Sequence, residues 1–172
     1  MRISNACGTR ARRAWRVKLD AMPIHREKKI LPYTPEQMFA LVVDVERYPE
    51  FLPWCVACRI RKRETPTSFT ADLQVGFKLV REQFTSRVTL EPSHAIAVTY
   101  LNGPFEHLTN EWKFAAVPEG TAVDFFLTFE FKSRLFQSLI GVLFEEAVHR
   151  MVSAFETRAE KLYAPILVAA PK

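Results

Sequence analysis

The sequence predicts an α+β domain: a curved antiparallel sheet of six or seven strands, with one long C-terminal helix lying across its concave face. Three observations carry this prediction. Apolar and polar residues alternate at period two in successive segments between Phe69 and Phe131. Turn residues interrupt those segments about every 10 to 18 residues with no helical run between them, the signature of an antiparallel meander. From Ser133 the apolar spacing becomes helical and stays so to Tyr163.

Taken in order, the segment from His25 to Tyr33 suits a first strand. Thr34-Pro35-Glu36-Gln37 then supplies a capping hydroxyl, a proline in the first turn and an early acid, which together start a helix. Met38, Phe39, Val42 and Val45 keep helical spacing until Pro49 and Pro53 forbid its continuation. Phe69, Ala71, Leu73, Val75, Phe77 and Leu79 form the clearest strand, one face apolar and the other wet. Phe84, Ser86, Val88 and Leu90 repeat the pattern, Glu91-Pro92-Ser93-His94 turns the chain, and Ile96, Val98 and Tyr100 follow. Asn102-Gly103-Pro104 and Pro118-Glu119-Gly120 are further turns, bracketing a segment in which Leu108, Trp112 and Phe114 share a face. Val123, Phe125, Leu127, Phe129 and Phe131 complete the sheet.

The C-terminal helix is expected to run about 31 residues, or about 46 Å at 1.5 Å per residue, long enough to cross a whole sheet. Its apolar positions fall in two adjacent rows, Leu135-Leu139-Leu143-Ala147-Met151-Phe155 and Phe136-Ile140-Phe144-Val148-Val152. That arc is wider than one sheet contact uses. A bent sheet gripping such a helix leaves an apolar cavity suited to a lipid-like molecule, or else the same phenylalanines fill it; with 14 Phe the pattern leaves both open.

Length and composition fit one globular domain: 172 residues, 48% hydrophobic and 25% charged. The net charge of +5 is not spread over the chain. Residues 1–21 hold six basic residues against Asp20 alone, and the remainder balances 18 basic against 18 acidic. The folded body therefore lacks the long-range field of a DNA-binding protein, and no DNA partner is expected. The leader has no apolar core and is no secretory signal; an organelle transit peptide, a true start at Met22 and a basic arm are the three readings, and none gives it a place in the core. The domain is expected over residues 22–163 and a tail over 164–172. No apolar run is long enough for a membrane-spanning helix, so peripheral membrane contact is the expected limit.

Several chemistries find no support. Cys55-Val56-Ala57-Cys58 follows Trp54 as in a thioredoxin motif, but the residues after it alternate toward Pro66 and start no helix, so half-buried thiols at a strand start are expected. The glycines Gly8, Gly76, Gly103, Gly120 and Gly141 are too scattered for a phosphate loop. Ser93-His94 has no identifiable third member of a triad, and Glu146-Ala147-Val148-His149 is a single E-x-x-H where a di-iron bundle needs two. No metal is expected. Arg59, Arg61, Lys62 and Arg63 form one dense basic cluster, read as a charged strand edge, with ribosomal RNA phosphates or anionic lipid headgroups as alternatives.

Val45-Glu46-Arg47-Tyr48-Pro49-Glu50-Phe51-Leu52-Pro53-Trp54-Cys55, Leu73-Gln74-Val75-Gly76-Phe77, Glu82-Gln83-Phe84, and Gly103-Pro104-Phe105 with Leu108 and Trp112 closely resemble the coenzyme Q-binding START-domain family. That family also contains bacterial ribosome association toxins and belongs to the START-like, polyketide cyclase superfamily with a helix-grip fold. The likeness runs from about Met22 to Tyr163. It implies a non-enzymatic carrier or chaperone that holds ubiquinone or a related polyisoprenoid lipid and supports respiratory electron transport, with ubiquinone as ligand and no cofactor required. By motif, Leu73, Val75, Phe77 and Phe84 would line the sheet side, Leu108, Trp112, Phe125 and Phe129 its continuation, and Phe136, Leu139, Ile140 and Leu143 the helix side. Glu82 is read first as an ordinary surface carboxylate, and the resemblance adds the alternative of a polar lining member that hydrogen-bonds a quinone headgroup or a lid. Phe51, Leu52 and Trp54 would sit on a proline-stiffened loop at the cavity mouth, against a membrane surface. A ribosome association toxin acting on a ribosomal subunit is the second reading and a polyketide cyclase-like enzyme the third. The implied location is cytoplasmic and peripheral to the inner membrane, or the matrix side of the mitochondrial inner membrane if the leader is a transit peptide.

Overall fold

The computed structural model describes residues 24–77 and 80–166, with the side chains of 77, 80, 135, 136 and 138–143 outside that description. In chain order the elements are β1 (Ile24–Leu31), α1 (Pro35–Val43), a 3₁₀ segment (Val45–Glu50), β2 (Cys55–Thr65), β3 (Ser68–Phe77), β4 (Val80–Glu91), β5 (Ala95–Asn102), β6 (Phe105–Val117), β7 (Gly120–Phe131) and α2 (Arg134–Leu162). The strands form one antiparallel sheet in the order β1-β7-β6-β5-β4-β3-β2, so the expected meander has seven strands.

Local chemistry accounts for the boundaries. The first strand ends at Leu31, two residues before the expected Tyr33, because Pro32 has no N–H for the ladder. Tyr33 is instead buried, and its carbonyl accepts from the Thr121 hydroxyl at 2.6 Å. α1 opens with a reciprocal cap: Gln37 N–H donates to Thr34 Oγ1 at 3.2 Å, and Thr34 N–H to Gln37 Oε1 at 2.9 Å. Past α1, Pro49 holds the chain in a 3₁₀ turn, and the Tyr48 hydroxyl donates back to the Val42 carbonyl at 2.6 Å. α2 has 29 residues, about 43 Å at 1.5 Å per residue, with Ser133 and Tyr163 as its caps.

Register fixes which side chains share a face, since directly paired residues point the same way. Phe69, Ala71 and Leu73 stand opposite Val88, Ser86 and Phe84. Leu108, Asn110, Trp112 and Phe114 stand opposite Phe129, Leu127, Phe125 and Val123. These residues form the concave face. The convex face of β3 and β4 carries Asp72, which accepts from the Thr85 hydroxyl at 2.7 Å and lies 3.5 Å from both Arg59 and Arg61. Arg63 lies over the Phe69 ring at 5.4 Å. Three residues of the basic cluster are thus engaged with β3, although Arg59 is 74% exposed and its ion pair contributes little stability.

Candidate functional site

The concave face carries two aromatic clusters of different character. The first lies between α1, the second half of α2, and strands β6 and β7. Trp112 meets the Phe125 ring at 4.4 Å and the Phe155 ring at 5.1 Å, while Met38, Val42, Val123 and Val148 close the space around them. Its polar atoms are satisfied: the Trp112 indole N–H donates to Asn110 Oδ1 at 3.0 Å, and Asn110 Nδ2 donates to the Phe126 carbonyl at 3.1 Å. The void left among these side chains is about 30 Å³, room for one water, whereas small-molecule sites run to about 300 Å³ and more.

A charged rim borders this cluster on β1. His25, Glu27 and Lys29 pair with Leu127, Phe125 and Val123, so they stand on the concave side, and the apolar Ile24 and Ile30 point out at 63% and 57% exposure. Lys29 donates to Glu156 of α2 at 2.5 Å, and His25 Nε2 lies 3.1 Å from Glu27. Burial pushes the Glu27 carboxyl up, but the hydrogen bonds and charges of His25 and Lys29 together outweigh it and hold the group below its ordinary range. The hydrogen bond to Glu156 raises Lys29 against the opposing effect of burial.

The second cluster lies toward the other end of the same face. Phe84, Phe105 and Leu108 are buried, with Leu73, Val75, Tyr100, Phe129 and Phe131 half-buried around them. Phe105 is the hub: its ring lies 5.2 Å from Phe84, 4.6 Å from Phe131, 5.6 Å from Phe129 and 5.7 Å from Tyr100. Phe129 also meets Phe144 of α2 at 5.2 Å and so joins the two clusters. Polar groups intrude here. Ser86, 5% exposed, stands opposite Tyr100 on this face, and neither hydroxyl has a hydrogen-bond partner among the described residues. Glu82 is half-buried on the same face, opposite Val75.

The expected site residues therefore divide. Leu73, Val75, Phe84, Leu108 and Phe129 come together in the second cluster, with Glu82 beside them. Trp112 and Phe125 belong to the first. Phe51 and Leu52 pack against that first cluster too: Phe51 lies 5.3 Å from Phe155 and under the Arg158 guanidinium at 5.4 Å, so the loop is fastened to α2. Trp54 adopts a left-handed backbone, its carbonyl accepts from Gly76 N–H at 2.8 Å, and its ring faces Arg150 at 5.9 Å. The side chains of Phe77, Phe136, Leu139, Ile140 and Leu143 lie outside the described residues. Phe105, Tyr100, Phe131 and Ser86 are the members that the sequence did not mark as lining. A register shift between Phe105 and His107 lets Phe105 and Leu108 both face inward at a spacing of three, which strict alternation does not reveal.

Neither of the two described cysteines is activated. Cys55 and Cys58 lie on β2, where burial pushes their thiols up to about 11 and about 12. Among the described residues no three His, Cys, Asp or Glu side chains converge as a metal site would require, and no helix is long and apolar enough to cross a membrane.

Residues 31–156 match the family model described as polyketide cyclase / dehydrase and lipid transport. The chain belongs to this family. Among its relatives, ribosome association toxin RatA of Escherichia coli is 37% identical over 144 residues, 83% of this chain and 90% of that protein. The mitochondrial coenzyme Q-binding protein COQ10 homolog B of Xenopus laevis is 35% identical over 144 residues, 81% of this chain but 59% of that protein. The solution structure of the 18 kDa protein CC1736 from Caulobacter crescentus has a TM-score of 0.68 at 39% identity, covering 82% of this chain and 98% of that one. A START superfamily protein from Mycobacterium smegmatis has a TM-score of 0.68 at 21% identity over 83% of this chain and 99% of that one, a likeness of fold alone. The curved sheet around α2 is thus the START-like helix-grip fold.

Proposed function

We propose that the protein binds ubiquinone or a related polyisoprenoid lipid between the sheet and α2, and carries or chaperones it for respiratory electron transport without transforming it. The observation that carries this reading is the second cluster, an aromatic-lined stretch of the concave face set apart from a core that is already filled. A family that includes lipid transport and a relative named for coenzyme Q binding support it. A polyisoprenoid resides in the bilayer, so the protein would work at the periphery of the membrane that holds it. The test is native mass spectrometry with solvent extraction on the gently purified full chain. A stoichiometric quinone is expected, and it should disappear in Leu73→Asp while the fold remains; a folded Leu73→Asp protein that keeps its quinone would exclude this site. Leu73→Ala, a milder change at this half-buried position, guards against misfolding and should lower occupancy.

A second reading is contact with a ribosomal subunit. Relatives that align over most of their length are named ribosome association toxins, and Arg59, Arg61, Lys62 and Arg63 present cations on edge strand β2. Reversing all four to Glu should eliminate co-sedimentation with ribosomal subunits; unchanged sedimentation would remove this surface from consideration.

A further inference from the structure

We propose that Ser86 and Tyr100 are a hydroxyl pair that recognises an oxygen-bearing ring, so that the second cluster selects a quinone-type headgroup over a plain hydrocarbon of the same shape. The proposal rests on the binding reading above and assigns its specificity. Three buried hydroxyls elsewhere in the fold are paired: Thr85 with Asp72, Thr121 with the Tyr33 carbonyl, Tyr48 with the Val42 carbonyl. Burying a hydroxyl with no partner destabilises a protein, so such groups call for an explanation. Ser86 and Tyr100 are two of them, without a partner among the described residues and directly paired across β4 and β5. Thr128 is a third unpaired hydroxyl, but it alternates with Leu127 and Phe129 and so stands on the convex face.

The surroundings suit a flat ring. Tyr100 is held edge-on to Phe105 at 84°, and Phe105 is edge-on to Phe84 at 82°, giving aromatic walls beside the two hydroxyls. A hydroxyl both donates and accepts. The pair can therefore donate to the carbonyl oxygens of a quinone and accept from the hydroxyls of the corresponding quinol, whereas a lysine ammonium only donates and an ionised carboxylate only accepts. Recognition of either form would let a carrier take up and deliver the lipid whatever its oxidation state.

The experiment is a titration of the full chain in detergent with decylubiquinone and with decylbenzene, which keeps a ring and an alkyl tail but has no oxygen. The wild-type protein should prefer decylubiquinone, and Tyr100→Phe combined with Ser86→Ala should reduce that preference about tenfold, the size expected from losing one or two neutral hydrogen bonds. Decylbenzene affinity should stay within about twofold, because both substitutions keep the apolar shape. Thermal melts provide a second readout: removing hydroxyls without a protein partner should leave the melting temperature of the ligand-free variant unchanged or raise it. A preference that survives the double substitution, or a melting temperature that falls by several degrees, would overturn the proposal while leaving lipid binding intact. A wild-type protein that binds neither compound would overturn the binding reading itself, and the headgroup assignment with it.

Discussion

The two clusters on the concave face use the same residue types to different ends. Around Trp112, Phe125 and Phe155 the rings are braced by α1 and α2, the Trp112 indole and the Asn110 amide are paired and the remaining void has room for one water. Around Phe105 the rings are as close to one another, yet two buried hydroxyls go unanswered among the described residues. The difference teaches that aromatic content does not distinguish a core from a binding site. On this face the state of the polar atoms does, because burying a hydroxyl without a partner costs stability that a bound ligand can restore.

The largest effect should come from emptying the first cluster. Phe155→Ala removes a buried ring from between Trp112, Tyr48 and Phe51 and should cost about 3–5 kcal/mol in urea denaturation. Phe105→Ala should cost less and should weaken lipid binding; equal losses of stability would erase the distinction between the clusters. Two glycines extend the test. Gly120 has φ +136, and an added Cβ would lie 2.1 Å from the Leu31 carbonyl oxygen; Gly103 has φ +139, and its Cβ would lie 2.7 Å from Phe84 Cβ. Alanine at either position should cost at least about 1–3 kcal/mol from backbone strain. Gly120→Ala should act on stability alone, through the junction of β1 with β7, whereas Gly103→Ala should also reduce ligand affinity by displacing Phe84.

The smallest effect is electrostatic and belongs to the first cluster's rim. Glu27 is depressed in the fold, so its contribution is fully present above the ordinary value of 4.5 and is lost as pH falls through its folded value. Lys29 is raised, so its contribution is fully present below 10.5 and is lost as pH rises through its folded value. The urea midpoint of the wild-type protein should therefore fall more steeply below pH 4.5 than that of Glu27→Gln, and coincident profiles would remove Glu27 from the account.

Most of the fold is legible in the sequence because half-buried strands and a long amphipathic helix leave opposite periodicities. The site is less so, for two physical reasons. In β1 the usual alternation is inverted: Ile24 and Ile30 face out, and His25, Glu27 and Lys29 face in, where Glu156 from a distant helix receives Lys29. No local pattern announces a charge whose partner lies 127 residues away. At Phe105 the register shift breaks the period-two rule, and so conceals the hub of the second cluster. The Tyr-Pro-x-Phe-Leu-Pro-Trp-Cys block, by contrast, identifies the family while Phe51 and Leu52 serve the packed core.

The placement of β1 also has a consequence for how the molecule is made. Strands β2 to β7 can each pair with a neighbour adjacent in sequence, so hairpins can form as the chain is synthesised from its N-terminal end. β1 is made first and completes its pairing last: Ile24 meets Thr128 and Leu31 meets Thr121. Until β7 has left the ribosome, Ile24–Leu31 has no strand to join, and its mixture of lysine, arginine, glutamate and histidine keeps that waiting segment hydrated.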